Sequence, residues 1–198
     1  MKTIYLIRHG EIDAGRPRKF IGRTDLPVTC RGREQLHRLK EHLSSISFDH
    51  IVSSPLERCQ ESGKILGASS NTNIITEPKF AEIDLGAWEG LTAADIQKKF
   101  PGEYEARGEN MADYTPPGGE SFNDLLDRVW PALLKIIETT TSQAAVVSHA
   151  GVNRVLLCQI LGMPLAHMFS LQQDYGCYNV LHVKENSMSL GCLNVSAS

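Results

Sequence analysis

Short continuous apolar runs alternate along this chain with longer segments in which apolar residues recur every three or four positions. Thr3-Ile4-Tyr5-Leu6-Ile7 and Ala144-Ala145-Val146-Val147-Ser148 are aliphatic, partly β-branched runs that stop just before a glycine, the pattern of strands buried on both faces of a parallel sheet. His50-Ile51-Val52-Ser53 and Ile74-Ile75 read as two further short strands. Leu36, Leu39 and Leu43 mark one face of a helix over about 32–44. Ser54-Pro55-Leu56-Glu57 reads as the next helix start, with Ser54 as N-cap, Pro55 as first helical residue and Glu57 closing a capping box. Phe80 to Asp84 is expected to be extended, with Gly86 breaking it. Thr92 caps a helix through Phe100 that Pro101-Gly102 ends, and residues 101–119 read as an irregular cap over the site. The amphipathic stretch from Glu120 to about Thr140 is expected to be kinked or divided at Pro131. Residues 152–161 form a helix stopped by Gly162 and Pro164, and 178–183 with 189–195 form a hairpin around Glu185-Asn186-Ser187. Strands alternating with helices predict a three-layer α/β/α sandwich, a mostly parallel central sheet flanked by helices, with the late hairpin adding antiparallel edge strands.

Both long apolar runs lead into a histidine: Arg8-His9-Gly10-Glu11 follows the first and His149-Ala150-Gly151 the second. The carboxyl ends of strands are where open α/β sheets bind ligands, so the two histidines are expected in one site. Arg8 supplies a forked, permanently charged donor of the kind a phosphate dianion needs, leaving His9 to attack. Arg58 falls in the first turn of a helix, where a cation opposes the helix dipole and an anion would compensate it. A neutral imidazole nitrogen is a competent nucleophile for phosphorus, and a phosphohistidine divides hydrolysis into two easier steps. Arg8, Arg58 and a protonated or donating His149 would then neutralise the equatorial oxygens. Glu82 is the best-placed carboxyl to protonate the leaving group and later to activate water, although on its neighbours alone the reading as an exposed surface acid beside Asp84 is the favoured one. Residues 10–30, rich in Gly, Pro and Arg, form a long loop over the ligand edge of the sheet.

The 198 residues fit one domain, spanning 1–198 with the 101–119 segment as its cap. Lys plus Arg number 20 against 23 Asp plus Glu, a formal charge of -3, which favours neither nucleic acid nor an anionic membrane. An anionic substrate must therefore be drawn by a local arginine cluster. Five widely spaced cysteines with no Cys-x-x-Cys pair argue against a disulfide framework and a zinc site. No basic-then-apolar leader opens the chain and no apolar stretch reaches the roughly 18 residues of a membrane span, so the expected location is the cytoplasm. Cys59 is not read as a nucleophile, because the glycine-rich phosphate loop and arginine spacing of cysteine phosphatases are absent. Trp88 reads as a packed aromatic.

Four blocks, Arg8-His9-Gly10-Glu11, Ser53-Ser54-Pro55-Leu56-Glu57-Arg58, Glu82-Ile83-Asp84-Leu85-Gly86-Ala87-Trp88-Glu89-Gly90 and Ser148-His149-Ala150-Gly151-Val152, together resemble the histidine phosphatase superfamily, which is phosphoglycerate-mutase-like in fold. The resemblance covers essentially the whole chain in the family's order. It implies His9 as the phosphorylated nucleophile, Arg8, Arg58 and His149 as the phosphate pocket, Glu82 as proton donor, and a metal-independent reaction with no cofactor. Gly22, Arg23 and Ala150 are further candidates for substrate contact. Two strings, Phe20 to Thr29 and Asp174-Tyr175-Gly176-Cys177-Tyr178, look like the α-ribazole phosphatase branch, which removes a 5′-phosphate in cobalamin assembly. The expected partner is accordingly a small-molecule phosphate ester. A broad sugar-phosphate or nucleotide phosphatase, a cofactor-dependent phosphoglycerate mutase and a phosphate-binding module without turnover are the alternatives. The chain departs from the family at Ile12 and Gly15, where many members carry Thr and Asn; Gly15 removes an amide donor for which Arg16, Arg18 or Lys19 are the available substitutes.

Overall fold

The computed structural model describes residues 1–68, 72–185 and 187–197. Its centre is a six-stranded sheet of β1 (Lys2–Arg8), β2 (His50–Ser53), β3 (Ile74–Thr76), β4 (Gln143–Ser148), β5 (Tyr178–Lys184) and β6 (Ser187–Val195), in the order β3-β2-β4-β1-β5-β6. The first four strands in that order pair in parallel, and β5 and β6 add antiparallel to one side. The expected edge hairpin is therefore present; Asn186 in its turn lies outside the described residues.

Alternation along each strand builds the three layers. Ile4, Leu6, Ala144 and Val146 face one core, shared with α5 (Phe122–Thr139) and α6 (Ala150–Leu161), through Leu125, Leu133 and Val155. Tyr5, Ile7, Ala145 and Val147 face the other, shared with α1 (Cys30–His42) and α2 (Glu57–Gly67) through Leu39 and Leu66. Trp88 is fully buried in the first core, as a packed aromatic should be.

Several local expectations change. α1 begins two residues early because the Thr29 side chain accepts from the Gly32 N–H and caps it. α2 begins at Glu57 with Leu56 at its N-cap and no side-chain cap, so Ser54 is not a cap and no capping box forms. Phe80, the first residue of the segment expected to be extended, instead ends a 3-10 turn (Pro78–Phe80) set by Pro78 and by the Glu77 side chain accepting from Lys79 N–H. α3 (Ala93–Lys99) carries the expected Thr92 cap, closed reciprocally by Asp95. The 101–119 segment is not wholly irregular: it holds α4 (Glu103–Glu109). α5 runs undivided through Pro131, which sits on its exposed side. One lost backbone bond facing solvent is outweighed by the buried face of Leu125, Val129, Leu133 and Ile136. No helix among the described residues is long and apolar enough to cross a membrane.

Because Leu133 is fully buried on that face, Leu133→Ala should lower unfolding stability by about 2–5 kcal/mol in urea titration. A loss under about 1 kcal/mol would mean that the α5 face packs loosely.

Candidate active site

Parallel pairing of β1 with β4 sets Arg8 opposite Ser148, so the next residue of each strand, His9 and His149, leaves the sheet at the same level. Their rings lie 5.2 Å apart, edge to face. A cavity of about 630 Å³ opens above the strand ends; Arg8, His9, Arg58, Glu82 and Ala150 reach its wall.

Hydrogen bonds fix the proton on each ring. His9 Nδ1 lies 2.8 Å from the Gly10 carbonyl, which only accepts, so Nδ1 carries the hydrogen and Nε2 keeps its lone pair. His149 Nδ1 lies 3.3 Å from Arg58 Nε, which only donates, so the His149 hydrogen sits on Nε2 and is given to Ser54 Oγ at 2.8 Å. Burial, then the charges of Arg8 and Arg58, push His9 well below the ordinary histidine value of 6.5. Burial, then Arg58, does the same to His149. Of the two forms expected for His149, protonated or donating, burial disfavours the protonated one, and the N–H of the neutral ring is engaged by Ser54.

Arg8 is 8% exposed and donates from Nη1 to the Gln173 carbonyl at 2.6 Å, with its guanidinium carbon 3.7 Å from the centre of the Tyr175 ring. Its Nε is buried with no hydrogen-bond partner among the described residues. Arg58 donates to the carbonyls of Thr24 and Gly22, at 2.8 and 2.6 Å. Those carbonyl dipoles compensate a cation placed at the wrong end of a helix.

Glu82 is buried, not a surface acid. Its Oε1 accepts from the Ile83 N–H at 3.0 Å and its Oε2 from the Gly151 N–H at 3.1 Å, in the first turn of α6. A Cβ at Gly151 would fall 2.4 Å from Glu82 Oε1, so a larger residue there would displace the carboxylate. Arg128 secures the segment from behind, donating to the carbonyls of Lys79, Ala81 and Glu82 while pairing with Glu120.

Two candidates lie elsewhere. Gly22 gives its N–H to Glu89 and its carbonyl to Arg58, and Arg23 is tied to Asp84 and Glu120 at 3.0 Å each; neither is among the residues that line the cavity. His149 stands behind His9 rather than on the wall. Of the three basic loop residues beyond Gly15, Arg18 and Lys19 reach the cavity and Arg16 does not. Cys59 is fully buried against His149 and the Ser148 carbonyl, and burial pushes its thiol far up, which leaves no thiolate to react.

Sequence reasoning missed Ser54 as the partner of His149, and Gln173, Tyr175 and Arg154 as parts of the wall. Arg154 was legible, one helical turn beyond Ala150 on α6. Gln173 had no local signal. It is held by a buried chain of amides in which Ser148 donates to Asn153, Asn153 to Gln173, and Gln173 and Asn179 to one another.

Neutral buried histidines make stability depend on pH. Below 6.5 the unfolded chain takes up protons that the folded chain refuses, so stability falls as pH drops from that value toward the folded-state ones. Each histidine should add up to about 1.4 kcal/mol per pH unit in that window. Nitrogen-resolved NMR of the free protein should show Nδ1–H on His9, Nε2–H on His149 and no midpoint near 6.5 for either ring. A midpoint at 6.5 would mean that the rings are not desolvated.

Residues 4–196 match the model of the histidine phosphatase superfamily (branch 1). The chain is 30% identical over 195 residues to the adenosylcobalamin/alpha-ribazole phosphatase of Escherichia coli (strain K12), covering 98% of this chain and 96% of that one. It is 29% identical over 197 residues to phosphoserine phosphatase 1 of Hydrogenobacter thermophilus, covering 99% and 93%. The fold matches the crystal structure of the alpha-ribazole phosphatase from Shigella flexneri with a TM-score of 0.89 at 29% identity, over 98% of this chain and 96% of that one. The α/β fold, the ordered blocks and the paired strand-end histidines thus converge, and the chain belongs to the histidine phosphatase superfamily, branch 1.

Proposed function

We propose that this protein is a metal-independent phosphomonoesterase that works through a phosphohistidine on His9 and acts on α-ribazole 5′-phosphate. The observation that carries the reaction is the pairing of a neutral His9, whose Nε2 lone pair has no partner among the described residues, with the orphaned Nε of Arg8 at one cavity wall. A phosphate there satisfies the orphan donor and meets the nucleophile together.

The Nε2 lone pair attacks phosphorus and the ester P–O bond breaks. The departing alkoxide takes a proton from the Glu82 carboxyl. Water then attacks the phosphohistidine, giving its proton to the Glu82 carboxylate while the P–N bond returns its electrons to Nε2. Arg8 and Arg58 bear the equatorial charge. His149 keeps its proton on Nε2 and anchors Arg58 through Nδ1, so its part is to hold the clamp square to His9. The Glu82 carboxyl, set at the first turn of α6 and held by Arg128 from behind, faces the same wall as His9. Full-length similarity to alpha-ribazole phosphatases of two bacteria supports the substrate.

Phosphate release from α-ribazole 5′-phosphate, measured beside phosphoserine, phosphoglycerates, sugar phosphates and nucleotides with chelator present, should show the highest kcat/KM for the ribazole ester. A flat panel would remove that substrate and leave the reaction. His9→Ala should lose at least about 10⁴-fold in kcat and form no acid-labile phosphoprotein; turnover surviving in it would sink the mechanism. Glu82→Gln should slow alkyl esters by roughly 10²–10⁴-fold yet p-nitrophenyl phosphate far less, because a good leaving group departs without a proton. Equal losses on both would deny Glu82 the role of acid.

A further inference from the structure

The cavity extends well past the residues a phosphate needs. Its outer part is bounded by Phe169, from the 3-10 segment Leu165–Ser170, and by Arg107 of α4 in the 101–119 cap. Phe169 is 49% exposed, one of few large apolar side chains left in water. Arg107 is set among phenyl rings, its guanidinium carbon 5.7 Å from the centre of Phe20, 5.6 Å from Phe122 and 5.8 Å from Phe169. Phe122 meets Phe169 edge to face at 5.8 Å, which holds the exposed ring in place. Arg154 stacks 5.1 Å from the same ring and ties its Nε to the Leu171 carbonyl.

Arg107 differs from three of the other arginines of this wall. Arg8, Arg58 and Arg154 each donate to a backbone carbonyl, whereas the Arg107 guanidinium makes no hydrogen bond or ion pair among the described residues. Burial pushes it down from its ordinary value, so it is partly stripped of water without a polar partner in exchange. A flat cation lying over a half-exposed ring, on the wall of the same cavity as His9, offers flat surface to a π-complementary group. A carboxylate would meet the edge of Arg107 and leave the Phe169 face wet. A planar heteroaromatic ring covers the phenyl, stacks on the guanidinium and offers ring nitrogens to its N–H groups.

We propose that Phe169 and Arg107 form a stacking subsite for a planar heteroaromatic group carried on the leaving alcohol, and that this subsite sets specificity. It rests on the phosphatase reading, because the group it takes belongs to the ester that His9 would cleave. At about 630 Å³ the cavity has room for a phosphate, a pentose and a bicyclic base. Stacking far from phosphorus raises kcat/KM by positioning the ester, so the preference resides in remote binding.

The test compares kcat/KM for α-ribazole 5′-phosphate with that for ribose 5-phosphate, which keeps the sugar and phosphate and lacks the base. The wild-type ratio should be at least about ten, and Phe169→Leu and Arg107→Lys should each lower it by roughly ten-fold. Leucine keeps apolar bulk and lysine keeps charge, so each variant removes one flat face. A wild-type ratio near one, with both esters hydrolysed, would overturn the subsite and leave the phosphatase standing. A high ratio that survives in both variants would place the base elsewhere and overturn it too. Hydrolysis of neither ester, with no phosphohistidine formed, would remove the phosphatase reading and the subsite with it.

Discussion

In-register parallel pairing of β1 with β4 is the constraint on which everything at the site depends. Six consecutive residue pairs, from Thr3 opposite Gln143 to Arg8 opposite Ser148, decide that two histidines 140 positions apart leave the sheet together. A slip of one residue would turn each side chain to the other face, sending Ile4 and Leu6 toward the wrong core. The hydrophobic alternation of the two strands therefore guards the geometry of the site: the force that packs the cores also sets the spacing of the histidines.

Electrostatics at the strand ends runs against ordinary folding economy. Two guanidiniums and two imidazoles are buried together, and Arg8 Nε has no partner among the described residues. The folded chain tolerates this by leaving both rings neutral and by turning carbonyls of Gln173, Thr24 and Gly22 toward the cations. Carbonyl dipoles offset part of the charge, and an anion offsets more. The thiol of Cys59 meets the same low polarity, which holds it as a thiol.

Support for the reacting groups comes from polar networks outside the cavity. Arg128 grips three carbonyls of the segment that carries Glu82, and Glu120 links it to Arg23 and, through its other oxygen, to the Asp84 N–H. On the opposite side the buried amides of Asn153, Gln173 and Asn179 hold the carbonyl that orders Arg8. Fully paired networks of this kind are stiff because any rotation orphans a buried donor. Arg23 belongs to such a network, paired with Asp84 and Glu120, rather than to the cavity wall.

What sequence alone determined is what short-range pattern carries: strand runs, helix faces, the α/β alternation, and the blocks holding Arg8, His9, Arg58, Glu82 and His149. Period and punctuation reflect backbone conformation within a few residues, so these survive without knowledge of partners. The local readings that changed were those whose outcome hangs on distant atoms. Ser54 looked like a helix cap, but a hydroxyl takes whichever partner the fold supplies, and here that is a ring 95 positions away. Pro131 looked like a break, but the packed face of α5 overrules it. Tautomers, the depth of Glu82 and the chamber around Arg107 belong to tertiary structure alone, because hydrogen-bond partners and burial are set only when remote segments meet.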